Sequence, residues 1–129
     1  MAVQRPEDWP RAFEEHLNAG ELDAVMELYE ANARFVAQSA DTIIGRERIR
    51  PVLAELIRTN TRLHRRVVRV VDVGDIAMLY TDFLGTTIDA AGQTVEVRSH
   101  AIEILRRQPD GTWKLIVGDP NGRAERQPE

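Results

Sequence analysis

The sequence predicts an α+β domain in which three short helices and a short β-hairpin come first, and four long strands of a curved antiparallel sheet follow. Two patterns carry this prediction. Before residue 58, apolar residues recur mostly at the spacing of amphipathic helices. From Leu63 onward they alternate with polar residues between turn sequences, as in strands. The 129 residues suffice for one hydrophobic core, so we predict a single domain over 1–122 and a polar tail over 123–129.

The three helices are identified from the spacing of their apolar residues. The first carries Trp9, Ala12, Phe13 and Leu17, and it ends at Asn18-Ala-Gly20. A second, short helix carries Leu22, Val25, Met26 and Tyr29. The third carries Ile49, Val52, Leu53, Leu56 and Ile57. Because Pro51 lies inside this third segment, we expect the helix to start later than Arg46 or to be kinked.

The strands follow from alternation and from turn residues. A short hairpin is predicted at 33–38 and 42–44, and long strands at 63–73, 76–89, 94–107 and 112–117. The strand after Ile76 is apolar on both faces, with Met78 and Leu84 on one face and Leu79 and Phe83 on the other. Since the helices cover only one face, we expect a homodimer in which a second copy of the chain covers the outer face of the sheet.

Composition excludes several classes of function. The chain has no cysteine, which rules out disulfides, thiolate nucleophiles and thiolate metal sites. The net charge of −4 argues against a nucleic-acid binder, and the arginines at 62–69 fit a solvated strand end. The three histidines lie on three elements without ligand spacing, so no metal is expected. The chain lacks a phosphate-binding glycine loop and has an aromatic content of only 5%, so no cofactor is expected.

The termini and the apolar runs bear on location. No run is long enough to span a membrane, and the first residues lack the apolar stretch of a signal peptide. We therefore expect a cytoplasmic protein with no membrane partner.

Four segments of the chain carry a resemblance to a known family. They are Leu17-Asn-Ala-Gly-Glu-Leu-Asp23, Leu28-Tyr-Glu-Ala-Asn-Ala-Arg-Phe-Val36, Gly45-Arg-Glu-Arg-Ile49 and Asp110-Gly-Thr-Trp-Lys-Leu-Ile116. In this order they resemble the SnoaL-like and ketosteroid isomerase-like branch of the nuclear transport factor 2-like superfamily, over about residues 7–120. The resemblance implies a cone-shaped sheet, wrapped on the helices, around an apolar pocket. The superfamily includes isomerases, polyketide cyclases, epoxide hydrolases, dehydratases and non-catalytic association domains, so the fold does not identify the activity.

The resemblance to ketosteroid isomerases can be followed residue by residue. These enzymes use a tyrosine on the first helix as oxyanion donor, an aspartate base on the first strand and a protonated aspartate on the third long strand. The matching positions are Phe13, which has no hydroxyl, Ala37, which accepts no proton, and Glu103, which retains a carboxyl. The isomerase mechanism is therefore not expected here. The sequence also does not show the arginine-bridged aspartate pair of the epoxide hydrolases.

Glu103 is the first candidate catalytic residue. It continues an alternating series of mostly apolar residues, so its carboxyl is expected to face the same side as Ala101 and Leu105. Burial there would raise its pKa, which suits a general acid or base. In the alternative, the strand end turns outward and Glu103 pairs with Arg106 or Arg107.

Asp82 and Tyr80 are further candidates, and their placement depends on the turn at 89–92. A symmetric turn puts Asp82 opposite Ser99 and Tyr80 opposite Ala101, on the face of Glu103. That group would support proton transfer at a carbon acid or hydration of a small molecule. In the alternative, Asp82 is a surface residue and Tyr80 a core residue. His100 is expected on the outer face, and under a different register it forms a dyad with Asp119.

A core that does not fill the sheet would itself form the ligand site. The residues expected to line it are Phe13, Leu17, Met26, Tyr29, Met78, Leu84, Ser99 and Trp113. We therefore predict a pocket protein for a small apolar ligand, with cofactor-independent isomerase, cyclase or hydrolase activity as one hypothesis. A second hypothesis is a non-catalytic ligand-binding or dimeric association domain, and a third is an accessory protein that sequesters a biosynthetic intermediate.

Overall fold

The computed structural model describes residues 2–124 and confirms the α+β class, with three α-helices and a six-stranded sheet that is curved and unclosed. The helices are α1 (Trp9–Asn18), α2 (Leu22–Met26) and α3 (Arg46–Arg58), and a short 3₁₀ turn, Pro6–Asp8, precedes α1. The strands are β1 (Tyr29–Val36), β2 (Thr42–Ile44), β3 (Arg62–Val73), β4 (Ile76–Ile88), β5 (Thr94–Arg107) and β6 (Trp113–Asp119). The last five positions of the expected polar tail, 125–129, lie outside the described residues. No helix within 2–124 is long and apolar enough to cross a membrane.

The strands form one sheet in the order β2-β1-β6-β5-β4-β3. Neighbours are antiparallel except β1 and β6, which are parallel, a pairing that the local patterns of the sequence do not predict. The parallel pair also explains why Tyr29 begins β1 instead of belonging to the second helix. Tyr29 lies beside Leu115 of β6, whose N–H donates to the Leu28 carbonyl at 2.8 Å. A partner far along the chain overrides the local helical spacing.

Pro51 lies inside α3, which begins at Arg46, so the later start expected from the sequence is wrong. Pro51 is exposed, whereas Ile49 and Leu53 are buried in the core. The proline removes one backbone hydrogen bond from the helix. Burial of the apolar side of α3 holds the helix in place, since packing contributes most of the stability of a short helix.

Polar side chains of α1 satisfy backbone groups of β3, which lies at the edge of the sheet. Asn18 donates from Nδ2 to the Leu63 carbonyl and accepts the Leu63 N–H at Oδ1, both at 2.9 Å. The Arg65 N–H donates to Glu14 Oε1 at 2.8 Å, and its guanidinium donates to Oε2 of the same carboxylate at 2.8 Å. An edge strand otherwise leaves such groups open. These bonds therefore fix α1 against the sheet.

The face of the sheet that packs against the helices, called here the inner face, carries the core. Its buried residues on the two central strands include Ala77, Leu79, Phe83, Ala101 and Leu105. From α1, Trp9 stacks on Phe13 with 5.2 Å between ring centroids, and Phe13 meets Phe83 edge-on at 5.9 Å. Trp9 Nε1 donates to the Leu28 carbonyl at 2.9 Å, so the buried indole is satisfied.

Gly85 allows β3 to approach β4 closely at one point of the sheet. A Cβ at this position would overlap the carbonyl oxygen of Arg62 on β3. Glycine within a strand often marks such an approach. Just beyond it, the Ile88 N–H donates to the Thr59 carbonyl at 3.0 Å, so the end of β4 is tied to the chain leaving α3.

The register of β4 against β5 differs by one residue from the symmetric turn expected. The Asp89 N–H donates to the Gln93 carbonyl at 2.9 Å, and Gly92 has a φ of 80°, so three residues, 90–92, form the loop. The Asp89 carboxylate accepts the N–H groups of Ala91 and Gln93, both at 2.9 Å. As a result Asp82 lies opposite His100 and Tyr80 opposite Ile102.

This one-residue difference turns both side chains away from the pocket side of the sheet, because strand side chains alternate between faces. The grouping of Asp82 and Tyr80 with Ser99 and Glu103 on one face is therefore wrong. Asp82 and Tyr80 lie on the opposite face, called here the outer face, whereas Glu103 lies opposite Leu79 on the inner face.

Candidate functional site

A pocket with a cavity volume of about 350 Å³ lies between the inner face of the sheet and the helices. Its walls are mainly apolar side chains from α1, α3 and the sheet, including Trp9, Phe13, Phe35, Leu53, Phe83 and Leu115. This volume is within the range of small-molecule sites. A core that does not fill the space under the sheet leaves a cavity of this kind.

Glu103 is the only carboxylate among the buried residues described, and it lines the pocket. Its neighbours across the sheet are Leu79 and Gly118, and the residue is only 6% exposed. Glu103 Oε1 has no hydrogen-bond partner in the described part of the chain. A buried polar atom without a partner is costly, so its presence calls for an explanation.

Burial raises the pKa of Glu103 from 4.5 to about 7. The nearby Thr81 hydroxyl offsets part of this rise in the pKa of Glu103. Thr81 Oγ1 and Glu103 Oε1 are nevertheless both without a hydrogen-bond partner in the described residues. Near neutral pH the carboxyl is therefore populated in both its protonated and its ionised form. It can donate a hydrogen bond to a bound molecule in the first form and accept a proton in the second.

Tyr29 is the second polar group deep in the pocket. It is 2% exposed and lines the cavity from the first residue of β1. Burial, and after it the charge of Glu103, raises the pKa of the Tyr29 hydroxyl well above its usual range. The phenol therefore stays protonated and is available as a neutral hydrogen-bond donor.

We place the opening of the pocket where its lining residues are partly or fully exposed to solvent. The polar residues among these are mainly Gln38, Arg98, Ser99, Asp119 and Asn121. Two other polar lining residues are already satisfied, since the hydroxyls of Thr61 and Thr87 are 2.8 Å apart and bonded to each other. The polar groups left for a ligand are thus mainly Glu103 and Tyr29 inside the pocket and the side chains around the opening.

The structure divides the residues expected to line the pocket into two groups. Phe13, Tyr29 and Ser99 do line it. Leu17, Met26 and Trp113 are buried in the core but are not lining residues, while Met78 and Leu84 lie on the outer face. Met78 and Leu84 were misplaced for the same reason as Tyr80, since they alternate with the inner-face residues of β4.

Asp82, His100 and Arg123 form a hydrogen-bonded cluster on the outer face. Asp82 Oδ1 contacts His100 Nδ1 at 3.0 Å and accepts from Arg123 Nη2 at 2.7 Å. The hydrogen bonds from His100 and Arg123 hold the pKa of Asp82 below its usual range. The alternative dyad of His100 with Asp119 does not form, because His100 contacts Asp82 and Asp119 lies opposite Ile102.

Two contributors were missed in the sequence. Thr81 would follow from alternation once the register is known, since it lies two residues from Leu79 on the same face. Arg123 carries no local signal, because its partners Asp82 and Tyr80 are about forty residues away along the chain. Within the described residues, no group of three histidine or acidic side chains is placed to hold a metal ion.

Comparisons with known proteins agree with this architecture. A family model described as the SnoaL-like domain matches residues 11–116. A search of the curated proteins finds no match. Among solved structures, a ketosteroid isomerase-like protein from Erwinia carotovora atroseptica is similar with a TM-score of 0.77 and 18% identity, over 88% of this chain and 89% of that one.

Two further structures show how varied the relatives are. A protein from Thiobacillus denitrificans, described as a proposed calcium/calmodulin-dependent protein kinase type II association domain, gives a TM-score of 0.74 at 20% identity, over 93% of this chain and 98% of that one. A proposed dehydratase of the NTF2-like family from Streptomyces avermitilis gives 0.70 at 19% identity, over 91% and 92%. At these identities the likeness shows the fold alone.

Proposed function

The chain belongs to the SnoaL-like domain family, and on that premise we propose that its pocket binds a small apolar molecule that carries an oxygen function. The observation that carries this proposal is the Glu103 carboxyl, which is buried in the apolar pocket with Oε1 unpaired. A hydroxyl or carbonyl group on a ligand would supply the missing partner. The apolar walls would cover the rest of the molecule.

We further propose that Glu103 acts as a general acid or base on this ligand, without a cofactor. A carboxyl with a pKa of about 7 exchanges protons efficiently at neutral pH. Tyr29, which stays protonated, would hold the oxygen of the ligand nearby. Isomerisation, cyclisation and hydrolysis of a small apolar metabolite all use such proton transfers.

A non-catalytic pocket is the second candidate, and two residues favour it. Phe13 lines the pocket where the resemblance to ketosteroid isomerases implies a tyrosine, and Ala37 stands at the position of the aspartate base. In this version the chain binds or sequesters its ligand, or serves as an association domain.

Association of two copies through the outer face is part of the proposal. Val71, Val73 and Leu84 are 47%, 76% and 50% exposed there, on the neighbouring strands β3 and β4. A second copy would cover this apolar surface. The Thiobacillus denitrificans relative, described as a proposed association domain, is consistent with that use of the fold. A cytoplasmic location and a single domain over 1–122 remain parts of the same proposal.

A thermal-shift screen of small ketones, alcohols and hydrocarbons of matched size tests the ligand class. We expect the oxygen-bearing compounds to raise the melting temperature of the wild-type chain more than the hydrocarbons do. Glu103→Leu should remove that preference, since leucine neither donates nor accepts a hydrogen bond. Glu96→Leu, at an exposed glutamate on the same strand, is the matched control. An equal preference for oxygen-bearing compounds in wild type and Glu103→Leu would contradict the proposal.

A proton-transfer activity separates the two candidates. Exchange of the α-hydrogens of a bound ketone with deuterated water, followed by NMR, reports abstraction of a proton from carbon. If the wild type speeds exchange and Glu103→Gln does not, the catalytic version is supported. Binding without any acceleration would leave the pocket as a binding site only.

A further inference from the structure

The end of β6 and the turn after it contribute partly exposed residues to the pocket lining, at its opening, and are held from the outer face of the sheet. Asp119, Pro120 and Asn121 line the pocket, and with Gly122 they are called here the mouth segment, 119–122. On the pocket side, Ser99 Oγ donates to the Pro120 carbonyl at 2.7 Å. Within the segment, the Gly122 N–H donates to the Asp119 carbonyl at 3.2 Å.

Arg123 joins this segment to β4 and β5 by several contacts. Its N–H donates to the His100 carbonyl at 2.9 Å, and its Nε donates to the Ala101 carbonyl at 3.1 Å. Its Nη2 donates to Asp82 Oδ1 at 2.7 Å, and its guanidinium lies 5.2 Å from the centroid of the Tyr80 ring. The Arg123 side chain is 23% exposed, so the ion pair is partly shielded from water.

We propose that Arg123 is a positioning residue for the pocket: its anchor on Asp82 and Tyr80 holds the mouth segment where it narrows the opening. The bonds of Arg123 reach two strands. In the mouth segment, Asp119 is paired with Ile102 of β5 as the last residue of β6, and beyond it the one hydrogen bond to β5 within the described residues is that of Ser99 to the Pro120 carbonyl. Loss of the anchor therefore lets the segment open without unfolding the core. A ligand then leaves the pocket faster, although no side chain that touches it has changed.

The chain offers a matched control for this arginine. Arg107 also pairs with an aspartate, Asp75, through Nε at 2.8 Å, and its guanidinium lies 5.9 Å from the centroid of the Trp113 ring. Arg107 thus repeats the ion pair and the stacking of Arg123, but neither it nor its partners line the pocket. A general effect of removing an arginine would appear in both variants.

The first readout is amide hydrogen exchange at residues 121–123 in the full chain. Arg123→Ala should speed exchange there by about tenfold, the effect of losing one charge-assisted hydrogen bond. Asp82→Asn should act in the same direction, and Arg123→Lys should fall between wild type and Arg123→Ala because it keeps the charge but loses the Nε bond and the stacking. The buried Leu79 N–H should stay strongly protected from exchange, which shows that the variants remain folded.

The second readout is the dissociation rate of N-phenyl-1-naphthylamine, a neutral apolar fluorophore, measured by stopped flow. This readout rests on the proposed function, and we expect dissociation to be about tenfold faster in Arg123→Ala and unchanged in Arg107→Ala. Unchanged exchange at 121–123 in Arg123→Ala, or equal effects of both alanine variants, would overturn the proposal. Faster exchange without faster dissociation would overturn it too, because the segment would then not control the opening.

The two proposals fail in different ways. If the wild-type chain binds neither the fluorophore nor any compound of the ketone and alcohol screen, the proposed ligand-binding function fails, and the exchange rates alone decide whether Arg123 holds the segment. If Glu103→Leu weakens binding of the oxygen-bearing compounds while Arg123→Ala changes neither readout, the pocket function stands and the role of Arg123 is wrong.

Discussion

The buried carboxyl of Glu103 should make the stability of the fold depend on pH in a direction opposite to that of an ordinary surface glutamate. The perturbation is Glu103→Gln, which keeps the shape of the side chain and removes its ionisation. In the folded chain the pKa of Glu103 is about 7, whereas its ordinary value is 4.5. The folded state therefore binds the proton more tightly than the unfolded state.

The sign and size of the effect follow from linkage. Below pH 4.5 the carboxyl is protonated in both states and contributes no pH dependence. Between pH 4.5 and 7 the free energy of unfolding of the wild type falls by about 1.4 kcal/mol per pH unit, which amounts to about 3 kcal/mol once the pH exceeds 7. The amide introduced by Glu103→Gln does not titrate, so the variant lacks this loss.

Urea unfolding of wild type and Glu103→Gln, in steps from pH 5 to pH 8, measures the difference directly. Between these limits we expect Glu103→Gln to gain roughly 2 to 3 kcal/mol relative to wild type. Any constant cost of burying the amide cancels in that comparison. Glu96→Gln, which changes an exposed carboxylate, should show little relative change. A difference between Glu103→Gln and wild type that does not vary with pH would refute the reasoning.

Three further outcomes test the fold around the site. Gly85→Ala should destabilise the chain by at least about 2 kcal/mol in urea unfolding, because the new Cβ overlaps the Arg62 carbonyl, and a neutral result would show that β3 and β4 can move apart. Asn18→Ala removes both side-chain bonds to Leu63 and should cost about 1 to 3 kcal/mol; a loss under about 0.5 kcal/mol would mean that water replaces them. Leu84→Glu should raise the dimer dissociation constant at least tenfold in sedimentation equilibrium, because it places a charge in an apolar contact. Ile44→Glu should leave that constant unchanged, since Ile44 is equally exposed but lies on β2, at the opposite edge of the sheet. A wild-type chain that is monomeric at every concentration would contradict the proposed association.

Much of the fold is encoded in patterns that are local along the chain. The apolar spacing around Phe13 and around Leu53 predicts α1 and α3, and alternation predicts the long strands β3, β4 and β5 to within a residue or two. Alternation also predicts the side of the sheet on which Glu103 lies, since Ala101 and Leu105 flank it on the same face. These features need no knowledge of which strand pairs with which.

The features that were missed depend on geometry or on distant partners. The number of residues in the 90–92 loop decides which residues of β4 and β5 lie opposite each other. That number depends on the left-handed conformation of Gly92 and on the hydrogen bonds to the Asp89 carboxylate. A shift of the register by one residue places Asp82 and Tyr80 on the face opposite to the one expected. Tyr29 joins the sheet only because β6 lies beside β1, a pairing that no local pattern reveals.

The pKa of Glu103 with and without a ligand tests the central claim most directly. A carbon-13 NMR titration of the Glu103 carboxyl should give a pKa of about 7 in the free chain. Saturation with the best oxygen-bearing compound from the screen should shift that pKa by about one unit or more, because a hydrogen bond to the ligand favours one protonation state over the other. A pKa near 4.5 in the free chain, or a value that stays the same when the ligand is bound, would contradict the account of Glu103 as the group that meets the ligand.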